Sequence, residues 1–231
     1  MKNKTINIGI LKDVATALDE LNEQVVYVGG AVVGIYADDP AAEDVRPTKD
    51  VDFTLKIASY TELTKLEEEL NKKGFNRNPE EKVECRFFLD RIMVDVMSTT
   101  SVGWAPANSW FKPGFDNAEE FNLEGIAIRI LPLPYYLATK LEAYHGRGND
   151  PRTSHDFEDV IYVLDNRVNL IEEIIASPDD VKTFLHSELK QIKEDAGLQE
   201  AMLGHLYPET QSERQIIINN KLQEIIDGIV V

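Results

Sequence analysis

The chain reads as an α/β protein through Leu131, followed by an all-helical region. Up to Leu131, apolar runs of strand length alternate with stretches whose apolar residues recur at helical spacing. Beyond Pro132 the strand-like runs stop and helical periodicity continues to Ile229. The expected division is therefore a mixed-sheet core over 1–131 and a helical lobe over 132–231, with the lobe closing over the core and a cleft between them.

Each element has its own signal. Ile10, Leu11, Val14, Leu18 and Leu21 fall on one face of a first helix. Val25-Val26-Tyr27-Val28 is a buried strand that runs into Gly29-Gly30, and Ala31 to Tyr36 reads as a short helix. Asp38 to Val45 is an acidic loop, either a lid or a surface excursion. Val51 to Lys56 is the second strand, and Leu63, Leu66 and Leu70 mark a helix ending near Gly74. Arg86 to Leu89 and Ile92 to Met97 are strands joined by a tight Asp90-Arg91 turn. Ser98 to Phe121 reads as a long irregular loop, and Ile126 to Leu131 as a last strand. Pro132 and Pro134 open a helix carrying Tyr136, Leu137, Lys140, Leu141 and Tyr144, which Gly146 and Gly148 stop. Thr153 or Ser154 caps the next helix, whose apolar stripe is Phe157, Val160, Ile161 and Leu164.

Composition excludes several classes. The 231 residues carry 24 basic and 41 acidic side chains, a net charge of −17. Such a chain does not grip long nucleic acid or an anionic membrane by bulk electrostatics, although a local basic patch remains compatible with it. Cys85 is the single cysteine, which rules out an intrachain disulfide or a Cys-cluster zinc site. Lys12, Asp13, Asp19 and Glu20 interrupt the first apolar run, so no secretory signal is read, and no stretch approaches the ~20 apolar residues of a membrane span. The expected location is cytoplasmic.

The chemistry is concentrated in Arg46-Pro47-Thr48-Lys49-Asp50-Val51-Asp52-Phe53. On a strand, residues two apart share a face, so Asp50 and Asp52 stand side by side while Val51 and Phe53 face the core. Two adjacent carboxylates repel unless a proton or cation lies between them. Mg²⁺ answers that need and favours carboxylate and phosphate oxygens. The missing third acid and glycine exclude a calcium loop of the EF-hand type. Asp95 lies mid-strand between Val94 and Val96, either facing solvent on a half-exposed strand or at a position where an ionised carboxylate is costly unless paired or metal-bound. Three carboxylates from two strands suit a site for two Mg²⁺ ions and an NTP. Gly29-Gly30, after a strand, leaves N–H groups open to phosphate oxygens. Lys140 lies within the apolar arc of its helix, either reaching inward as a phosphate counter-charge or snorkelling to the edge. His145, Arg147 and Arg152 form a local basic cluster in an acidic chain. Asp156, three residues after Thr153, is either part of the chemistry or of a capping box, and Asp159 is expected to face solvent.

Val28-Gly29-Gly30, Arg46-x-Thr48-x-Asp50-x-Asp52-Phe53, Asp95, Lys140 through Tyr144-x-x-Arg147, and Arg152-x-x-x-Asp156-x-x-Asp159 follow one another over about residues 25–165. In this order they resemble the polymerase-beta-like nucleotidyltransferase superfamily. Within it they are most similar to the AbiEii/AbiGii-type nucleotidyltransferases, found as toxins of toxin–antitoxin and phage-defence systems. The resemblance implies metal on Asp50, Asp52 and Asp95, with Asp156 as a supporting catalytic acid or base. It places Gly29, Gly30, Thr48, Lys140 and Arg147 with the nucleotide. The implied reaction moves an NMP from an NTP to an acceptor hydroxyl, with tRNA or another RNA as acceptor and an antitoxin protein as possible partner. An antibiotic-type small-molecule adenylyltransferase is the alternative, since an acidic surface attracts a polycationic acceptor. A non-catalytic nucleotide- or partner-binding protein of the same fold is the third reading.

Overall fold

The computed structural model describes residues 2–148 and 150–229. Its contacts cluster into two compact units, Met1–Gly34 with Asp44–Pro132, and Ile35–Glu43 with Leu133–Val231.

The first unit is built on strands β1 (Val25–Val28), β2 (Asp50–Leu55), β3 (Phe75–Asn76), β4 (Arg86–Leu89), β5 (Ile92–Ser98), β6 (Glu119–Leu123) and β7 (Ile126–Ile130). Among the described residues they form one mixed sheet in the order β3-β4-β5-β2-β1-β7-β6. The β1–β7 and β2–β5 pairs are parallel and the other four are antiparallel. Central β1 is buried along its whole length, which explains its continuous apolar run. Val51, Phe53, Val94, Val96 and Phe87 are fully buried and give β2, β5 and β4 a common core face. Helix α1 (Lys2–Leu18) lies in this unit with α2 (Tyr60–Lys72) and α3 (Phe111–Asp116). Ser59 caps α2 by accepting from the Glu62 N–H, and Leu63, Leu66 and Leu70 form its buried stripe.

Helix α1 begins eight residues before Ile10, in a polar stretch with no periodic signal. Its start is held from a distance, because the Asp44 carboxylate accepts the Asn3 and Lys4 N–H groups at 2.8 and 3.0 Å. A side chain from another segment thus satisfies two of the helix's orphan donors. The short helix expected over Ala31–Tyr36 is a single 3-10 turn at Val33–Ile35. The expected loop over 98–121 contains α3 and the start of β6. Pro113 and Gly114 hide α3 from a propensity reading. Strand β6 is an edge strand with Glu119 and Glu120 exposed, so it lacks the alternation of a half-buried strand and is protected by charge from further pairing.

The second unit consists of α4 (Leu133–Arg147), α5 (His155–Asn166), α6 (Leu170–Ile175), α7 (Asp179–Glu194), α8 (Ala196–Gly204) and α9 (Gln211–Gly228), joined by Ile35–Glu43. Leu141, Phe157, Val160, Ile161, Leu185, Leu189, Leu222 and Ile225 belong to its core. The acidic stretch read as a lid or surface loop is tied to the end of α5. The Asp38 and Asp39 N–H groups both donate to the Asn166 carbonyl at 3.1 Å, and Tyr162 donates to the Glu43 carbonyl at 3.0 Å. Asp38 also pairs with Arg167 at 3.0 Å. Lys221 donates to the carbonyls of Leu164, Asp165 and Arg167 at 3.0 Å, closing the helix's unsatisfied C-terminal acceptors. Among the described residues no helix is long and apolar enough to cross a membrane.

The entry to β2 depends on one buried amide. Asn7 of α1 is 2% exposed; its Nδ2 donates to the Arg46 carbonyl and its Oδ1 accepts from the Thr48 N–H, both at 3.1 Å. Asn7→Ala should cost about 1–3 kcal/mol by leaving two backbone groups unsatisfied. Urea unfolding checks this, and a variant within a few tenths of wild type would show that the amide does not hold the 46–48 segment.

Candidate functional site: an acidic row across three strands

The parallel register of β2 and β5 sets Asp50 opposite Met93 and Asp52 opposite Asp95. Residues so paired share a face, opposite the buried Val51, Phe53, Val94 and Val96. One carboxylate oxygen from each of Asp50, Asp52 and Asp95 lies within 4.8 Å of the others, and all three residues are half-buried. The donor set is all hard oxygen, which suits Mg²⁺ rather than a thiophilic ion.

The surroundings fit such a cluster. Gly29 has φ +75°, and a Cβ added there would stand 1.8 Å from Asp52 Oδ2. A side chain at 29 would therefore displace the carboxylate, and only glycine adopts this backbone without strain. Gly30 is buried, with its carbonyl accepting from the Val33 N–H at 3.4 Å. The Thr48 hydroxyl donates to Asp50 Oδ1 from within the loop that Asn7 secures. Thr48 thus reaches the site through Asp50.

Arg86, which the sequence reading passed over, completes the row. The β4–β5 hairpin puts it opposite Asp95. Its Nε donates to Asp95 Oδ1 at 2.7 Å and its Nη2 to Oδ2 at 2.8 Å, a bidentate pair. Hydrogen bonding to Asp95 raises the guanidinium further above its ordinary range. The signal was available: a two-residue turn at Asp90-Arg91 fixes the hairpin register, and counting outward pairs residue 86 with 95. The neighbouring Cys85 thiol is pushed up to about 11, first by burial and then by the Asp95 charge, so it remains protonated and inert near neutral pH.

Lys140, Arg147 and Asp156 belong to the helical unit. Lys140 is 6% exposed and lies inward rather than snorkelling. Its Nζ is 2.7 Å from Asp159 Oδ2 and 3.4 Å from Asp156 Oδ1. Arg147 Nη1 reaches Asp156 Oδ2 at 2.5 Å. The expectation that Asp159 faces solvent is overturned: it is 1% exposed. A helical wheel sends an acid outward by default, but a buried cation on the neighbouring helix reverses that preference. Ser154, not Thr153, caps α5 by accepting from the Phe157 N–H at 3.3 Å, while the Asp156 carboxylate meets Lys140 and Arg147. The basic cluster is neutralised locally, with His145 against Glu188, Arg147 against Asp156 and Arg152 against Asp150.

Two outcomes follow from this geometry. Gly29→Ala should lower stability by about 1 kcal/mol through its positive φ alone and should abolish metal binding by displacing Asp52; unchanged Mn²⁺ affinity would show that the close approach is not required. Asp159→Ala should cost about 1–3 kcal/mol, since it removes the shorter of two carboxylate partners of a buried ammonium and leaves Asp156, and more than Arg147→Ala, whose side chain is largely exposed. Chemical denaturation of both variants checks the order.

The family model described as nucleotidyl transferase AbiEii toxin, type IV toxin–antitoxin system, matches residues 15–213. No curated protein sequence gives a significant match. Among solved structures the chain is similar to an antigenic nucleotidyltransferase-like protein from Paracoccidioides brasiliensis, with a TM-score of 0.50 and 17% identity over 86% of this chain and 92% of that one. It is also similar to the antibiotic-resistance factor ANT(2'')-Ia, with a TM-score of 0.49 and 14% identity over 82% of this chain and 96% of that one. The first likeness bears on fold alone. The family match spans most of the chain, including both acid-bearing strands and the α4–α5 ion cluster, and the protein belongs to the AbiEii nucleotidyltransferase toxin family.

Proposed function

We propose that this nucleotidyltransferase moves a nucleoside monophosphate from an NTP to an acceptor hydroxyl and releases pyrophosphate, with Mg²⁺ held by Asp50, Asp52 and Asp95. The convergence of three carboxylate oxygens within 4.8 Å carries the reading. When bound, the metal supplies positive charge to the triphosphate and to the attacking oxygen. The chain's own contribution is positioning. Asp50 and Asp52 are fixed by strand pairing and Asp50 also by Thr48, so little reorganisation is needed at reaction. Gly29 and Gly30 let backbone approach the phosphates closely. The acceptor proton passes to a carboxylate oxygen of Asp95; each oxygen keeps a second lone pair beyond its bond to Arg86.

In this reading the region 1–131 performs the transfer, and Lys140 and Arg147 are nucleotide-contacting cations whose charge Asp156 and Asp159 already share. Asp156 is the supporting acid between them, and Asp159 holds Lys140 in place. The family match supports an antitoxin counterpart; RNA as acceptor and a cytoplasmic location, where NTPs are available, belong to the same reading. The net charge of −17 favours a second reading, a polycationic small molecule as acceptor.

Replacing Asp50 and Asp52 together by Asn keeps their shape and removes two charges. Pyrophosphate release with NTP, Mg²⁺ and total tRNA, or in parallel an aminoglycoside, should fall by about 10³-fold or more. Thermal melting without Mg²⁺ should be unchanged or higher, because like charges no longer repel. Wild-type turnover in the double variant would end the metal reading; no release from wild type with either acceptor would favour a binding protein of the same fold.

A further inference from the structure

Asp95 occupies the middle of a three-strand row. On one side the β2 register brings Asp52, and on the other the β4 register brings Arg86. The Arg86 and Asp95 side chains are 18% and 15% exposed, so solvent screens their fork only partly. A third guanidinium nitrogen, Nη1, faces Glu81 Oε2 at 3.9 Å. The guanidinium is thus braced from two directions, and each Asp95 oxygen accepts one hydrogen bond from it.

We propose that the Arg86 guanidinium, fixed beside Asp95, sets when the transfer site takes up metal: its charge keeps divalent-cation binding weak until a triphosphate arrives. The inference rests on the metal-site reading above. Three carboxylates alone would attract a divalent cation strongly even without substrate. One fixed positive charge among them lowers that attraction, and an NTP, bringing more negative charge than one guanidinium cancels, restores it. Loading would then be coupled to substrate, and the nucleotide-free protein would hold the ion weakly.

Mn²⁺ is the probe, with unbound ion read by electron paramagnetic resonance on the full chain, without nucleotide and again with a non-hydrolysable NTP. Removing the charge in Arg86→Gln should tighten nucleotide-free Mn²⁺ binding by about tenfold or more, since like charges a few ångströms apart repel strongly at a half-buried site. Arg86→Met, neutral and of similar length, should do the same and carries the test should Arg86→Gln fail to fold. Arg86→Lys keeps the charge and should stay near wild type. A merely structural role for Arg86 predicts the opposite sign, weaker binding in both neutral variants. Equal or weaker nucleotide-free binding in the neutral variants, or equal tightening in Arg86→Lys, overturns the proposal. Loss of Mn²⁺ binding in the Asp50→Asn/Asp52→Asn variant shows that the metal site itself is real, so failure at Arg86 is separable. If wild type binds no Mn²⁺ with or without nucleotide, the metal reading fails and this proposal with it.

Discussion

The parallel register between β2 and β5 is the constraint on which the acidic site depends. Side chains alternate along a strand, so a slip of one residue would send Asp95 into the core and Val94 or Val96 to the acidic face. The register is enforced from the opposite face, where Val51, Phe53, Val94 and Val96 are fully buried. Burying those four side chains favours this alignment by several kcal/mol, at about 1.5–3 kcal/mol each. The repulsion that accompanies three clustered carboxylates is thus opposed by packing rather than by the acids themselves. Asn7 extends the same logic to the loop before β2, and Gly29 to the turn after β1.

Both polar clusters pair a carboxylate group with internal cations, but in different ways. In the sheet unit three carboxylates converge and one of them, Asp95, is paired with Arg86. In the helical unit Lys140 and Arg147 meet Asp156 and Asp159. A buried pair such as Lys140 with Asp159 is a poor source of stability, because desolvation offsets most of its attraction, yet it is expensive to break. It fixes geometry. The converging carboxylates of the sheet unit are the group whose geometry could hold a cation.

Much of this was legible in the sequence where a residue's neighbours along the chain determine its surroundings. Alternation located Asp50 and Asp52 on one face of β2, and the same argument placed Asp95 against the core residues of β5. The apolar arc of α4 correctly marked Lys140 as unusual. What could not be read depends on partners distant in sequence. Asp44 holding the start of α1, Asn7 securing Thr48, and Asp159 turned inward by Lys140 have no local pattern. Strand β6 escaped because an exposed charged edge carries no alternation, and α3 because Pro113 and Gly114 contradict it. Arg86 was legible in principle, since the hairpin register follows from its turn length, but an arginine on a strand carries no local signal of what it faces.

The charge pattern also bears on the acceptor. RNA-binding surfaces usually gain affinity from cations that release condensed counterions, giving a steep salt dependence. Here the basic residues that stand out in the sequence around α4 and α5 already have acidic partners: His145 has Glu188, Arg147 has Asp156 and Arg152 has Asp150. An RNA acceptor would therefore gain little from phosphate contacts at these three residues, which would add little to its salt slope. A polycationic acceptor would instead be drawn by the net charge of −17, and its binding would weaken steeply as salt screens that field. The two acceptor classes thus draw differently on the same charge distribution.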